Sequence, residues 1–287
     1  MSLPEENPLQ DGNCPGTAYS VVETRTWNNG RLNSATDCVA DEVPVALEYN
    51  GISHAVMLAS PADFEDFATG FSLTEGIVSG VRDIHEIQIE RSDKGYTVKL
   101  TVSPRCFFRL KERRRSLTGR TGCGLCGAES LDQVYQIPPP VNAHSRFSPE
   151  LLQRGFEALK SSQHLMQRTG ATHAAAWIDA TGRVDLIRED VGRHNALDKL
   201  IGALAVSQTA ADGGAVLVTS RASYEMVLKT AAAGIGLLAA ISAPTSLAIE
   251  LAALSGLTLA GFVRDRRMLV YTHPERLDGS PQDAPGS

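Results

Sequence analysis

The second half of the chain alternates between helical segments and short apolar runs, and this pattern restricts the possible folds more than any other feature. Ser148-Pro149 predicts the start of a helix that ends near Gly170. After it, helices are predicted to begin at Asp190, Ala222 and Pro244, and apolar runs predict strands over residues 172–178, 184–188, 215–219, 237–241 and 257–263. Such alternation is typical of a three-layer α/β domain around a partly parallel sheet.

The first half predicts a smaller α+β domain. Residues 44–49 and 52–58 are predicted to pair as a hairpin across Asn50-Gly51, a dipeptide that favours a two-residue turn. A helix is predicted to follow Ser60-Pro61, with three phenylalanines on one stripe. Further strands are predicted over residues 19–26, 84–90 and 96–102, the last two as a second hairpin.

These patterns divide the chain into five segments. The two halves are separated by a stretch with little periodicity, and long irregular stretches in compact proteins are usually functional or mobile. The predicted segments are a disordered tail (1–18), the smaller α+β domain (19–102), a basic segment with a mobile cysteine loop (103–147), the α/β domain (148–277) and a second disordered tail (278–287).

Composition and local sequence favour a cytoplasmic protein. The net charge of −6 argues against a nucleic-acid coat protein or a membrane-surface protein. Residues 230–249 are uncharged over the length of a membrane span, but Ser242, Pro244, Thr245 and Ser246 interrupt a run of mostly Ala and Gly. We therefore expect a helix end, a strand and a helix start there. Residues 1–16 lack the apolar run of a secretory signal, and the five cysteines are too scattered for a disulfide framework.

Cys123 and Cys126 form the most chemically distinctive pair in the sequence. Two thiols separated by two residues can both reach one sulfur atom or one metal ion. A structural zinc site requires four ligands, and the sequence holds no second cysteine pair and no histidine between His85 and His144. A redox pair of the thioredoxin kind opens a helix, whereas the glycines around these thiols favour a mobile loop.

Two further interpretations of the cysteine loop compete with these. A zinc-dependent deaminase requires a His-x-Glu triplet before its cysteine pair. The one such triplet in the sequence is His273-Pro274-Glu275, which lies far downstream and contains proline. The other interpretation is a glycine turn whose cysteines have no chemical role.

A basic run precedes the cysteine pair. Between residues 105 and 120 one residue, Glu112, is acidic, and the basic residues are Arg105, Arg109, Lys111, Arg113, Arg114, Arg115 and Arg120. By itself this pattern indicates a solvated helix face. Next to paired thiols it would stabilise a thiolate, which is the form that attacks a donor persulfide, and it would attract an anionic cofactor or an acidic protein face. The combination favours a cysteine persulfide at this loop.

Polar groups follow four of the predicted strands, where open α/β sheets bind their ligands. They lie in residues 188–195, 219–223, 242–246 and 264–267. Hydroxyls and free backbone N–H groups at helix starts suit phosphates, and arginines add bidentate contacts. Other roles are open for single residues, such as helix capping for Asp190, a buried stripe for His194 and an exposed hairpin for the arginine-rich turn. Their convergence on one sheet edge predicts a nucleotide or phosphate-bearing ligand.

Four long motifs occur in order along the chain. They are residues 121–127 (TGCGLCG), 189–199 (EDVGRHNALDK), 220–226 (SRASYEM) and 271–277 (YTHPERL). Together they closely resemble the formate dehydrogenase accessory sulfurtransferase family, FdhD/NarQ, and the resemblance extends over roughly residues 19–277. The resemblance implies a homodimer with a cytidine-deaminase-like core, which agrees with the predicted α/β domain.

The resemblance also implies a sulfur carrier, a sulfurtransferase required for formate dehydrogenase activity. Sulfur from a cysteine desulfurase would reach Cys123 as a persulfide, with Cys126 assisting. It would then pass to the bis-guanylated molybdenum cofactor, Mo-bis(molybdopterin guanine dinucleotide), before insertion into the formate dehydrogenase catalytic subunit. Residues 262–267 (FVRDRR) match the family's cofactor-binding turn in place but not letter for letter. The predicted cofactor-binding residues are Phe262, Val263, Arg264, Asp265, Arg266, Arg267, Ser220, Arg221, Asp190 and His194.

A second hypothesis comes from a different functional class. In it the chain is a chaperone that binds the molybdenum cofactor, and the thiols only hold or present the molybdenum. The two hypotheses differ in whether a persulfide forms. Neither leads us to expect a permanently bound metal, a nucleic acid or a membrane as partner.

Overall fold

The residues described by this computed structural model, 18–118 and 140–278, form twelve strands, seven α-helices and three single-turn 3-10 helices, and for residues 113–118 only the backbone is described. The strands are β1 (Tyr19–Asn28), β2 (Arg31–Ala40), β3 (Val43–Tyr49), β4 (Ile52–Ala59), β5 (Ile84–Ser92), β6 (Gly95–Val102), β7 (His173–Asp179), β8 (Val184–Asp190), β9 (Gly214–Val218), β10 (Leu237–Ala240), β11 (Thr258–Arg264) and β12 (Arg267–Thr272). The helices are α1 (Phe64–Thr74), α2 (Pro104–Thr118), α3 (Pro149–Ser162), α4 (His164–Thr169), α5 (Arg193–Val206), α6 (Tyr224–Ala232) and α7 (Ser246–Ser255).

The first unit is built on a four-stranded sheet with the order β4-β3-β6-β5. Asn50 and Gly51 join β3 to β4 with positive φ angles of 47° and 80°, the conformations that a two-residue hairpin requires. One face of the sheet is buried under α1 and α2, where Val45, Leu47 and Val98 belong to a core of their own. Both predicted hairpins are confirmed, and α1 begins a few residues later than predicted.

β1 and β2 form a separate two-stranded ribbon. Most of its side chains are exposed, including Trp27 at 69% and Leu32 at 53%. It meets the second unit near α4, where the Arg168 guanidinium lies 5.1 Å from the centre of the Tyr19 ring. A two-stranded ribbon buries too little surface to be stable alone, so its position depends on such contacts.

The second unit is a six-stranded sheet with the order β12-β11-β10-β9-β7-β8. β9, β10 and β11 run parallel, whereas β7, β8 and β12 run antiparallel to their neighbours. Helices α5, α6 and α7 cover one face, and Leu200, Met226 and Leu251 belong to that core. On the other face α3 packs through Leu152 and Phe156. The class is α/β, as predicted, and helices lie on both sides of a partly parallel sheet.

The largest difference from the sequence prediction is helix α2. An irregular segment is predicted from residue 103, but residues 104–118 form a helix. Pro104 occupies its first position, where a missing N–H is harmless, and Cys106 and Leu110, four residues apart, are buried against the first sheet. The dense arginines conceal this short apolar stripe. The predicted tails (1–18 and 278–287), except Ala18 and Asp278, and the cysteine loop around Cys123 and Cys126 lie outside the described residues.

No helix in the described part of the chain is long and apolar enough to cross a membrane. The uncharged residues 230–249 are divided, as predicted, among the end of α6, β10 and the start of α7. Leu237 and Leu238 of β10 are fully buried. The run is apolar because it passes through the protein core.

The two units meet where α1 crosses α5, and a glycine on each helix sets the distance between them. A Cβ atom at Gly70 would overlap the Asp198 carbonyl oxygen, and one at Gly202 would overlap the Asp66 carbonyl oxygen. The two backbones are therefore in direct contact, and no larger side chain fits at either position. This contact fixes the first unit against the second.

Substitution of the crossing glycine should separate the helices. Gly70→Ala is expected to lower the free energy of unfolding by about 3 kcal/mol, because the added methyl group has no space. Chemical denaturation measures the loss. Gly80→Ala is the matched control, since Gly80 has an extended backbone and nothing lies within 4 Å of an added Cβ. Equal unfolding free energies for the two variants would contradict a tight crossing.

Candidate functional site

A buried ion pair joins the two units beside the predicted ligand-binding edge. Lys199 Nζ lies 2.7 Å from Asp190 Oδ2, and both side chains are fully buried. The Ser60 N–H donates to Asp190 Oδ2 at 3.0 Å, and Lys199 Nζ donates to the Ser60 carbonyl at 3.1 Å. Asp190 Oδ1 accepts from the Gly192 N–H at 2.8 Å and from Asn195 Nδ2 at 3.0 Å. Both carboxylate oxygens are satisfied inside the protein.

Asp190 therefore differs from the cofactor contact that the sequence predicts. Its exposed fraction is 0%, so a ligand at the sheet edge has no access to the carboxylate. Asp198 of the same motif forms a second buried pair with Lys229 of α6, whose Nζ lies 3.0 Å from its carboxylate, and the Thr74 hydroxyl donates to Asp198 at 2.8 Å. Much of the segment 189–199 thus joins the two units.

The loops that follow the parallel strands are hydrogen-bonded into one surface. The Ala222 N–H donates to the Ala243 carbonyl at 3.2 Å, and the Thr245 N–H donates to the Ala222 carbonyl at 3.0 Å. The Phe262 N–H donates to the Ser242 carbonyl at 3.2 Å. The structure therefore brings together the polar segments after β9 and β10 and the end of β11, as parallel neighbours require.

The first turn of α5 adds His194 to this edge. Its Nε2 lies 2.7 Å from Glu225 Oε2 and 3.4 Å from Ser223 Oγ, both at the start of α6. The hydrogen bond with His194 lowers the pKa of the Glu225 carboxyl below its ordinary value. His194 is 26% exposed, so its ring links two helix starts and also faces solvent.

Two residues that the sequence prediction does not single out lie beside His194. Arg193 has a buried Nε with no hydrogen-bond acceptor among the described residues. His173, at the start of β7, is half-buried; burial lowers its pKa, and the neighbouring Arg193 and His194 lower it further. Arg193 stands inside the motif 189–199, where its side-chain direction cannot be inferred. His173 reaches the edge only through antiparallel pairing, which leaves no signal in the sequence.

An arginine-rich turn joins β11 to β12. Arg264 pairs with Arg267, and the two residues between them, Asp265 and Arg266, have positive φ angles of 52° and 57°, as in a type I′ turn. All four side chains are exposed, so three guanidinium groups project into solvent. Val263 is 1% exposed and belongs to the core under α3. Its side chain therefore does not face a ligand, contrary to the prediction.

The remaining predicted residues divide between shaping the edge and facing solvent. Phe262 has a φ of 54° at a register shift between β11 and β12. Ser220 is 4% exposed, and its hydroxyl donates to the Arg221 carbonyl at 3.0 Å, so it stabilises its own loop. Arg221 is exposed and presents its charge to solvent.

The predicted sulfur-bearing residues, Cys123 and Cys126, lie outside the described residues. Within residues 18–118 and 140–278, no group of three or more His, Cys, Asp or Glu side chains could hold a metal ion. His273 and Glu275, the triplet considered for a deaminase site, lie 3.0 Å apart and pair with each other.

A cleft of about 820 Å³ opens next to this edge, between α3, α4 and the sheet. Its lining includes Thr219 and Ile241, which directly follow β9 and β10, together with His173. Lys160 and Gln163 add polar groups. The volume lies within the range of cofactor-binding sites, and it is sufficient for a nucleoside.

Comparison with known proteins identifies the family. A model of the FdhD/NarQ family matches residues 40–278. The chain is 57% identical over 277 residues to the sulfur carrier protein FdhD of Cupriavidus necator, covering 96% of each chain. The chain belongs to the FdhD/NarQ family. It is 52% identical over 279 residues to the sulfur carrier protein FdhD of Xanthomonas euvesicatoria pv. vesicatoria, and the match covers 97% of each of the two chains.

The same fold occurs in a solved structure of a more distant protein. It is a protein from Desulfotalea psychrophila described as a formate dehydrogenase accessory protein, with a TM-score of 0.72 and 24% identity. The match covers 91% of this chain and 100% of that chain. At this identity the likeness establishes the fold, and the family resemblance indicated by the four motifs is confirmed by the family model.

Breaking the buried ion pair should cost far more than breaking a surface pair. Lys199→Met is expected to lower the free energy of unfolding by about 3–5 kcal/mol, because Asp190 would remain buried without a counter-charge. Arg183→Met is the control, since Arg183 is 73% exposed and its pairing with Asp185 should contribute less than about 1 kcal/mol. Urea denaturation compares the two. Similar losses would mean that the pair does not hold the units together.

Proposed function

We propose that the chain is a sulfur carrier that accepts persulfide sulfur from a cysteine desulfurase and transfers it to the bis-guanylated molybdenum cofactor before that cofactor enters formate dehydrogenase. Relatives named sulfur carrier proteins align with nearly the whole chain, which supports the carrier role. The structural observation that carries the proposal is the meeting of three strand-end loops and the start of α5 beside a nucleotide-sized cleft. Open α/β sheets bind their ligands at such an edge.

Cys123 accepts the sulfur. Its thiolate attacks the outer sulfur of the desulfurase persulfide, a new S–S bond forms on Cys123, the donor S–S bond breaks, and the desulfurase thiolate leaves. One persulfide bond replaces another, so the step needs no added oxidant. The basic run before the cysteine pair favours the thiolate, because cationic neighbours lower a thiol pKa.

The guanine nucleotide of the cofactor binds at the carboxyl edge of the six-stranded sheet. Exposed arginines of the β11–β12 turn suit its pyrophosphate, since guanidinium groups bind phosphate bidentately. Arg193 Nε, a buried donor that lacks an acceptor among the described residues, would be satisfied by a phosphate oxygen. α5 and α6 both begin without a side-chain cap, which leaves backbone N–H groups for an anion. The cleft accommodates the nucleoside.

Cys126 completes the transfer. Its thiolate attacks the Cys123 sulfur of the persulfide, a Cys123–Cys126 disulfide forms, and hydrosulfide leaves with the bonding electron pair to the molybdenum of the acceptor. The thiol pair supplies both electrons. A dithiol reductant then restores the two thiols.

A cofactor-binding chaperone is the alternative function. It uses the same edge and the same cleft, and it holds the cofactor without forming a persulfide. Binding of a guanine nucleotide is common to both functions, so only the detection of carried sulfur separates them.

The mass of the chain provides the test. Incubation with a cysteine desulfurase and L-cysteine should add about 32 Da, one sulfur atom, to the intact chain. Cys123→Ala should lose the adduct and fail to support formate dehydrogenase activity, while binding guanosine diphosphate as the parent does. Cys38→Ala is the matched control, because Cys38 is a half-buried free thiol of the β1–β2 ribbon, and it should load normally.

Two outcomes would contradict the proposal. A parent chain that binds guanosine diphosphate and never gains the sulfur mass favours the chaperone. Normal formate dehydrogenase activity with Cys123→Ala would show that Cys123 does not carry the sulfur.

The proposed function also implies a cellular location and a set of partners. The chain acts in the cytoplasm, without nucleic acid or membrane, and meets the desulfurase and the formate dehydrogenase catalytic subunit in turn.

We also propose a homodimer. The exposed Trp27 and Leu32 of the β1–β2 ribbon support it, because an isolated ribbon gains stability by packing against a second surface.

A further inference from the structure

Helix α2 has two faces with different roles. Cys106 and Leu110 are 1% and 4% exposed and pack into the core of the first unit. The opposite face carries residues at spacings of three and four, namely Arg105, Phe108, Arg109 and Glu112, and all four are exposed. Because the buried face fixes the rotation of the helix, Arg105, Phe108 and Glu112 are directed away from the core of the first unit, and Arg109 lies at the border between the two faces.

Phe108 is the apolar centre of the outer face. It is 56% exposed, and Arg105 and Arg109 lie within one turn of it. A singly exposed apolar residue is ordinary, but aromatic residues, Phe included, and arginine are the residues enriched in protein–protein interfaces. Arg109 Nη2 donates to Ser79 Oγ at 3.2 Å and to Cys106 Sγ at 3.2 Å, which holds its guanidinium against the helix beside Phe108 and reduces the entropy lost on binding.

The charge of α2 selects the kind of partner. Between residues 104 and 118 the sequence has six basic residues and one acidic residue, in a chain whose net charge is −6. Such a local reversal of sign steers an acidic surface toward the helix. A phenyl ring at its centre requires an apolar pocket in the partner, which a protein has and a pyrophosphate lacks.

The position of α2 relative to Cys123 indicates that the partner is the protein that donates the sulfur. The helix ends at Thr118, and five residues of extended chain reach at most about 18 Å. Phe108 lies ten residues before the helix end, or about 15 Å along the axis. A protein seated on the outer face is therefore close enough for its own persulfide to meet Cys123. The cofactor-binding edge belongs to the other unit, on the six-stranded sheet.

We infer that the outer face of α2 is the docking surface for the sulfur donor, a persulfide-bearing protein with an acidic rim around an apolar pocket. This inference rests on the proposed sulfur-carrier function. Docking raises the local concentration of the donor persulfide at Cys123, whose thiolate attacks the outer sulfur while the donor thiolate leaves.

Loading kinetics test the docking surface. Phe108→Ser and Arg105→Glu should each raise the desulfurase concentration for half-maximal loading about tenfold, with the rate at saturating donor unchanged. Loading from glutathione persulfide, which needs no docking, should match the parent. The Arg105→Glu effect should shrink at high salt. Leu254→Ser, at an equally exposed 56%, and Lys94→Glu, on the exposed β5–β6 turn, are the matched controls and should load as the parent does.

Several results would overturn the inference, and they are distinguishable. If both variants reach half-maximal loading at the same desulfurase concentration as the parent, the outer face is not the docking surface, and the sulfur-carrier function still stands. If the variants load equally poorly from desulfurase and from glutathione persulfide, the substitutions act on the reactivity of the thiol or on folding and not on docking. If Arg105→Glu no longer binds guanosine diphosphate, the outer face of α2 binds the cofactor and not the sulfur donor. A parent chain that loads from neither donor overturns the proposed function and the docking surface with it.

Discussion

The ion pair between Asp190 and Lys199 is the interaction on which the rest of the structure depends. Two charges removed from water cost several kcal/mol unless each has a partner and further hydrogen bonds. Here the further bonds come from the N–H and the carbonyl of Ser60, which belongs to the first unit. The pair of the second unit is therefore stable only while the first unit is in place, so the two units are interdependent.

The same junction positions the proposed ligand-binding edge. Asp190 ends β8, and its carboxylate accepts from the N–H of Gly192, the residue before α5. Arg193 and His194 follow directly, so their backbone is anchored to a buried group only a few residues away. The glycine contact between α1 and α5 fixes the remainder of the helix. An edge held in this way loses little entropy when it binds a ligand, which suits the proposed binding of a guanine nucleotide.

The sequence predicts most of the fold because its periodic segments are long and the residues that break them are placed consistently. It misses α2, whose buried stripe is two residues in a run of arginines. It also misses β2, whose side chains are mostly exposed, and β12, where Leu269 and Val270 are both 37% exposed and do not alternate. The site is harder to predict. Asp190 and Arg193 stand three residues apart in one motif, yet one is sealed in the core and the other reaches the edge. The difference is set by Ser60, which is 130 residues away in sequence, and no local pattern contains it.

The acceptor cofactor should bind through its guanine nucleotide where β9, β10 and β11 end. Hydrogen–deuterium exchange of the full chain, with and without saturating guanosine diphosphate, measures this site in solution. We expect slower exchange in the loops after β9 and β10, in the β11–β12 turn and in the first turn of α5. Protection confined to other segments, such as the β1–β2 ribbon or the four-stranded sheet, would contradict it.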